Sequence, residues 1–407
     1  MAKYAYDKAA LKGLGVGPFL KEVKTREAEI QKADDTMPQT EYQANRLARM
    51  LHPGVQFALV SKVIPHKDAR SYVLVPDPER GTQALAFFRA GQYVSAAFSI
   101  NGASVCRPYT IRSGPADALG QEGTSYTLTV KETGGFVSDW ILNNWKVGSK
   151  VTMSGPLGDF YYQGLRDAKH IVALAGGSGI TPFCAMAAAV VSGQEDFSLT
   201  VLYGSRDHDS ILLGNELLEL SSRSHGRVKV VHVLSADDAE GFEHGFLSAD
   251  LIRKYAPEGD YSVFVCGPQA MYAYEKEELA KLGLPARRVR FELSGAFGDP
   301  ARDAAYPAEA KRKTFKLSVT VRGLQREIVC PAEETLLTAM ERAGIAVPSD
   351  CRSGRCGWCR NRLISGEVFV PETADGRRAA DKKFGWIHPC VTYPLSDIAL
   401  EIFPLNV

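Results

Sequence analysis

The chain reads as a multi-domain protein: a helical extension, an antiparallel β-barrel, a doubly wound α/β domain, and a smaller α+β domain. Three observations predict this. At 407 residues the chain exceeds one ordinary hydrophobic core. Its apolar pattern changes twice, from short alternating segments to strands interleaved with helices, and then to a hairpin followed by a helix. Four of its eight cysteines gather near the C-terminus, where the last domain must be organised around them.

Residues 1–51 mix charged and apolar positions at helical spacing and break at 32–40, which predicts two helices without chemistry. The barrel is expected over 52–165. Its strands fall at 55–63, 71–75, 92–98, 125–131 and 150–154, separated by turn residues. The α/β domain is expected over 166–294, with strands at 171–175, 198–203, 228–234 and 262–266 and helices at 181–192, 212–222, 248–255 and 270–282. Alternating strands and helices predict a parallel sheet covered on both faces. Residues 295–313 are small, polar and charged, as linkers are. The last domain, 314–407, opens with a hairpin at 315–321 and 326–330 and a helix at 335–343.

Composition excludes little. Hydrophobic residues make up 45% and charged residues 23%, and the net charge of +1 gives no bulk argument for nucleic-acid binding. Residues 171–191 are a 21-residue run without a charge, long enough to cross a bilayer. Gly176, Gly177, Gly179 and Pro182 break that run, so strand, turn and apolar helix describe it better than a membrane span. Cys106, Cys184, Cys266 and Cys330 are scattered, like the reduced thiols of a cytoplasmic protein.

The remaining cysteines are Cys351, Cys356, Cys359 and Cys390. The spacing C-x4-C-x2-C with a distant fourth is that of a plant-type [2Fe–2S] site. Gly354 and Gly357 let the loop fold tightly and aim N–H groups at sulfur. A structural zinc or buried free thiols are the alternatives. Zinc usually pairs two short cysteine motifs, and only one is present.

Other motifs need company. Arg107-Pro108-Tyr109-Thr110 ends a barrel strand and supplies a cation for a phosphate, a flat ring, and a hydroxyl that could serve a flavin. Any edge strand can read so. Gly134-Gly135-Phe136-Val137-Ser138 opens a helix at 138–144. Free N–H groups there suit a pyrophosphate, or form a plain turn and cap. Gly176-Gly177-Ser178-Gly179-Ile180-Thr181-Pro182 links the first strand of the α/β domain to its first helix, where such sheets bind dinucleotides. It could also be a structural turn. Ser205 and Arg206 follow the second strand. An Arg there suits the 2′-phosphate of NADPH, although Asp207 and Asp209 complicate the choice against NADH. Cys266-Gly267-Pro268 ends a strand at the carboxyl edge, where a tight turn lets a nicotinamide ring approach.

Together these motifs resemble the ferredoxin–NADP reductase superfamily, in the subgroup that ends in a plant-type ferredoxin domain. Reductase components of phenylacetyl-CoA epoxidase and ketosteroid hydroxylase are of this kind. The likeness covers residues 55–407 and implies a flavin barrel, a nicotinamide domain and a β-grasp ferredoxin domain. The implied cofactors are FAD, with FMN as the alternative, a [2Fe–2S] cluster, and NADPH or NADH. Arg107, Pro108, Tyr109, Thr110, Val130, Gly135, Phe136, Val137 and Ser138 would contact the flavin. Gly176, Gly177, Gly179, Thr181, Pro182, Ser205, Arg206, Cys266, Gly267 and Pro268 would serve NAD(P). Thr110 would sit near flavin N5, with Cys266 and Glu292 along the hydride path. Residues 155–160 resemble the family's domain-closing segment.

The implied activity is electron transfer from NAD(P)H through flavin and cluster to a redox acceptor protein. Two alternatives are direct reduction of a small organic substrate at the flavin and a permanently docked subunit of a larger complex. Two departures stand out. Residues 1–51 have no counterpart. The ferredoxin domain is also basic: residues 311–407 hold 15 Lys and Arg against 11 Asp and Glu, a net of +4. Arg352, Arg355, Arg360 and Arg362 ring the cluster loop, which predicts an acidic docking face on the acceptor.

Overall fold

The computed structural model describes residues 17–32, 53–100, 103–119, 124–133, 136–292 and 299–402. Residues 1–48 and 49–407 form two separate compact units. In the first, α1 (Gly17–Lys32) is a polar, largely exposed helix. The second helix expected from the sequence lies outside the described residues.

The barrel contains β1 (Gln56–Pro65), β2 (Ala69–Pro76), β3 (Tyr93–Ile100), β4 (Ala103–Thr110), β5 (Tyr126–Lys131) and β6 (Lys150–Met153). They pair antiparallel in the order β4-β3-β6-β1-β2-β5. A bridge between Ile111 and Leu128 joins the two edge strands and nearly closes the barrel. Alternation puts Ala58, Val60, Val94, Ala96 and Leu128 inside. Helix α2 (Phe136–Asn144) plugs one end with Val137 and Ile141.

The α/β domain has β7 (His170–Gly176), β8 (Ser198–Ser205), β9 (Val228–Leu234), β10 (Glu243–His244), β11 (Ser262–Cys266) and β12 (Val289–Phe291). All pair parallel, in the order β10-β9-β8-β7-β11-β12. The helices α3 (Thr181–Val191), α4 (Gly214–Arg223), α5 (Ala249–Tyr255) and α6 (Gln269–Ala280) supply the crossovers. Helix α3 is apolar all round because it is buried all round. The uncharged run at 171–191 is thus β7, a turn and α3. Strand order reverses beside β7, between β8 and β11, and that is where such sheets open a crevice.

Residues 155–162 are fastened to this domain by Arg290. Its guanidinium pairs with Asp167 at 3.0 Å and donates to the carbonyls of Tyr161 and Asp159. Phe160 packs on Phe183 and Phe264.

The last domain is a mixed sheet built from β13 (Thr314–Val321), β14 (Leu324–Pro331), β15 (Asn361–Ser365), β17 (Trp386–Ile387) and β19 (Ile398–Ile402). The strand order is β14-β13-β19-β15-β17, and a short pair, β16 (Val368–Phe369) with β18 (Tyr393–Pro394), lies beside it. Helix α7 (Leu336–Arg342) packs on the sheet, and α8 (Ala379–Lys383) is one short turn. The described part of the expected linker is no loose spacer. Tyr306 is buried against Tyr393, stacks edge-on with Phe369 at 5.1 Å, and donates to the Ala332 carbonyl at 3.0 Å.

Candidate cofactor and electron-transfer site

Three local devices meet where the barrel, the α/β domain and the last domain touch. The first is the end of β4. The Ile111–Leu128 bridge sets β4 antiparallel to β5, so continuing its register carries Tyr109 level with Val130 and Arg107 toward the 133–138 turn. Val130 and Val137 are buried in the barrel core, with Tyr109 packed on it half-buried. Burial pushes the Tyr109 hydroxyl up. Thr110 stands opposite Tyr93 across β3, and Pro108 opposite Ser95. The Ser138 hydroxyl lies 2.8 Å from that of Thr133. Gly134 and Gly135 lie outside the described residues, as does the Phe136 side chain. The turn that would cradle a pyrophosphate is thus framed on both flanks.

The second device is a pair of turns at the carboxyl edge of the parallel sheet. A Cβ on Gly179 would meet the Cys266 carbonyl oxygen at 2.2 Å, and one on Gly176 would meet Pro268 Cδ at 2.8 Å. The glycines therefore let the two turns abut across the crevice. Gly267 also serves this packing, against Met271. Gly177 differs: its φ is +54° and the side away from its backbone is open. Thr181 donates to the Ser178 carbonyl at 3.0 Å and fixes the start of α3, with Pro182 next in the first turn.

At the end of β8, Arg206 is exposed beside the half-buried Ser205. Asp207 is committed to capping Ser210, and Asp209 pairs with Lys67 of the barrel at 3.0 Å.

Cys266 is buried, and burial raises its thiol well above the ordinary range. Beside it lies a residue that motif reading missed. The Tyr272 hydroxyl accepts from the Gly267 N–H at 3.1 Å and donates to the Glu292 carbonyl. Its only sequence signal was its place in the first turns of a predicted helix. Glu292 is 7% exposed, and its carboxyl is pushed up to about 8, first by burial and then by the charge of Asp159.

The third device is the cluster loop. A Cβ on Gly354, at φ +79°, would strike the Ala374 carbonyl oxygen at 2.1 Å. Only glycine fits there. His388 holds the Gly354 carbonyl at 2.6 Å from beneath. Backbone N–H groups point at sulfur: Ser353 and Cys356 at Cys351, 3.5 and 3.4 Å away, and Trp358 at Cys356, 3.4 Å away. The four thiols gather as two pairs. Cys351 is held toward thiolate by the Cys356 thiol, and Cys359 by that of Cys390. Among the described residues no three His, Cys, Asp or Glu side chains converge on a single-ion site. Two pairs, each able to hold one iron of a diiron cluster, fit this donor set.

The loop faces the other domains. Arg355 donates to the Phe291 carbonyl at 3.1 Å, next to Glu292. The Cys106 thiol lies 2.6 Å from the Ser349 carbonyl oxygen. Arg352 is 1% exposed and paired with Glu341, which also pairs with Arg107. Tyr93 is buried in β3, and its hydroxyl is pushed up first by that burial and then by the charge of Cys351. Strand alternation gave no hint of that position.

A nearly closed barrel, a parallel sheet with an open carboxyl edge, and a four-cysteine β-grasp domain at their junction define a flavin- and nicotinamide-dependent iron–sulfur reductase. Known proteins agree. Residues 56–162 match the oxidoreductase FAD-binding domain, 173–277 the oxidoreductase NAD-binding domain, and 319–395 the 2Fe-2S iron-sulfur cluster binding domain. The chain is 32% identical to the ferredoxin reductase component of 3-ketosteroid-9-alpha-monooxygenase from Mycobacterium tuberculosis, over 83% of this chain and 93% of that protein. It is 29% identical to the glycine betaine monooxygenase reductase subunit of Chromohalobacter salexigens, over 82% and 91%. The solved structure of phthalate dioxygenase reductase matches with a TM-score of 0.63 and 25% identity, covering 86% of this chain and 98% of that one.

The chain belongs to the three-domain reductases of the ferredoxin–NADP reductase superfamily that carry a C-terminal [2Fe–2S] ferredoxin domain. It passes electrons from NAD(P)H through FAD to a [2Fe–2S] cluster and on to a partner protein. No helix among the described residues is long and apolar enough to cross a membrane.

Proposed function

We propose that the partner is an oxygenase component and that electrons leave at the outer edge of the cluster loop. One observation carries this. Of the four cluster cysteines only Cys356 is exposed, and Trp358, two residues on, is 50% exposed, while the loop's other side faces the flavin barrel. Electrons enter from within and exit at Cys356. The relatives named above, reductases of two monooxygenases and a dioxygenase, supply the partner class.

The acidic docking face inferred from composition has local support. A cleft of about 270 Å³ opens beside Cys356 and is lined by Arg355, Arg360 and Arg378, with Asp381 as the one acid. The structure narrows the set of arginines. Arg352 is buried and neutralised. Arg360 and Arg378 share Asp381, at 3.1 and 3.0 Å; Arg360 also stacks on Trp386, while Arg378 keeps 73% of its side chain exposed.

The residue roles follow the same reading. Cys351, Cys356, Cys359 and Cys390 hold the cluster. Arg107, Tyr109, Thr110, Val130, Val137 and Ser138, with Gly135 and Phe136, hold the flavin, and Thr110 donates near its reactive nitrogen. Gly177, Thr181, Ser205 and Arg206 bind NADPH. Cys266 and Glu292 flank the hydride path, Cys266 as a neutral thiol. The flavin supplies the change from two-electron to one-electron chemistry, while the protein orients and excludes water. The domains divide at 51, 165 and 294, with the expected linker up to 313 joined to the last one through Tyr306. Cys106, Cys184, Cys266 and Cys330, outside the cluster set and in no disulfide, support a reducing, cytoplasmic location.

The deciding measurement is reduction of the cognate oxygenase and of cytochrome c by wild type and by Trp358→Ala, with cluster content read by absorbance. Slower acceptor reduction with an intact cluster and unchanged ferricyanide reduction is expected. An unchanged acceptor KM would place the exit elsewhere.

A further inference from the structure

We propose that Glu341 is a positioning residue that couples docking of the ferredoxin domain to occupancy of the flavin phosphate site, through one shared guanidinium, Arg107. The proposal rests on reading Arg107 as the phosphate partner.

Glu341 lies on α7 of the ferredoxin domain and is 2% exposed. Arg352 grips it with both terminal nitrogens, Nη1 to Oε1 at 2.7 Å and Nη2 to Oε2 at 3.1 Å. Arg107 reaches the same carboxylate from β4 of the barrel, with Nη1 at 3.1 Å from Oε2 and 3.4 Å from Oε1. The three groups are nearly dry, and two domains contribute them. Arg352 follows cluster ligand Cys351 and holds φ at +54°, a left-handed conformation that non-glycine residues rarely adopt. Beside the triad the Cys106 thiol meets Ser349, 2.6 Å from its carbonyl and 2.9 Å from its hydroxyl.

The charges do not cancel. Two guanidinium groups face one carboxylate, leaving one positive charge in a water-poor interface, where an unpaired ion is costly. Arg352 is spent on Glu341. Arg107 spends only Nη1, on Glu341 and on the Cys106 carbonyl at 2.7 Å. Its Nη2 and Nε make no hydrogen bond among the described residues. Those two nitrogens form the fork that recognises a phosphate, and a phosphate there completes the charge balance. Glu341 and the phosphate thus hold different nitrogens of one side chain. Each fixes the guanidinium for the other, so the coupling is cooperative, and by linkage it is reciprocal.

The test uses the full chain, stripped of flavin and refilled with FAD, with cluster absorbance as the check on folding. Glu341→Gln should weaken FAD binding about ten-fold. FAD should protect wild type against proteolytic release of the ferredoxin domain, and this protection should vanish in the variant. Equal FAD affinity in Glu341→Gln and wild type, or absence of FAD-dependent protection in wild type, overturns the proposal. Arg107→Ala separates the two readings. If it leaves FAD affinity unchanged, the phosphate assignment fails. If it weakens FAD and Glu341→Gln does not, only the coupling fails. Should Glu341→Gln lose its cluster, Ser349→Cys provides a second route. Oxidation to a disulfide with Cys106 pins the domain in place and should tighten FAD binding several-fold, reversed by reductant. No change in FAD affinity on cross-linking overturns the coupling as well.

Discussion

The inner and outer faces of the cluster loop carry the same residue type to opposite ends. On the inner face Arg352 is sealed from water and its charge is met by Glu341. On the outer face Arg378 keeps 73% of its side chain in solvent, although it too touches an acid, Asp381. A count of arginines treats the two alike. Physically they differ: breaking a buried pair strands a charge, while an exposed pair is worth little and is screened by salt. Of four arginines expected to attract an acceptor, one is an internal strut, and Arg355 is partly occupied by the Phe291 carbonyl. The loop therefore has a holding face and a meeting face.

The largest test removes the loop's organising centre. Cys356→Ser should lose the cluster while FAD and ferricyanide reduction persist, and cytochrome c reduction should fall at least a hundred-fold. Retained cytochrome c reduction without a cluster would show that electrons bypass the meeting face. Next, Arg378→Glu should raise the acceptor KM about ten-fold at low salt and much less at high salt, because exposed charges are screened over roughly 8–10 Å at physiological ionic strength. An effect independent of salt breaks the contrast between the faces.

A third arginine extends the comparison. Arg206 is exposed at the end of β8, so it should behave as a ligand-facing charge. Arg206→Ala is expected to lower the NADPH/NADH preference in kcat/KM about ten-fold, and an unchanged ratio makes it a surface residue.

The smallest effect concerns a buried acid with no partner, the opposite of Glu341. Glu275 is 1% exposed, its Oε2 has no hydrogen bond, and burial pushes its carboxyl up to about 8. The folded chain then keeps a proton that the unfolded chain gives up near its ordinary value of 4.5. Stability should fall as pH rises from about 5 to 8. Glu275→Gln should flatten part of that slope, by on the order of 1–2 kcal/mol at pH 8, read from denaturant melts at several pH values. Glu292, raised to about 8 as well, leaves a remaining slope. A variant with the wild-type slope would mean Glu275 is ionised in the fold.

Much of this was legible in the residues themselves. Domain order, the cluster cysteines, the glycine turn after β7 and the R-x-Y-T strand end are local signals. A tight loop, a helix start and a strand end depend on neighbours a few positions away, so spacing alone specifies them. Four of the six strands of the parallel sheet were readable for the same reason, being apolar runs bounded by turns; the short β10 and β12 were not. Strand β19 was not: its five residues are stabilised by β13, paired in parallel some eighty positions earlier. The roles of Tyr93, Tyr272 and Glu341 were also hidden, because each looks like an ordinary strand or helix residue until its partner arrives. Arg107 and Glu341 stand 234 positions apart. The sequence by itself determined which cofactors this chain is built to hold. Only the tertiary structure decided which charges are buried, paired or free, because burial and ion pairing are set by what packs against a side chain and not by what precedes it.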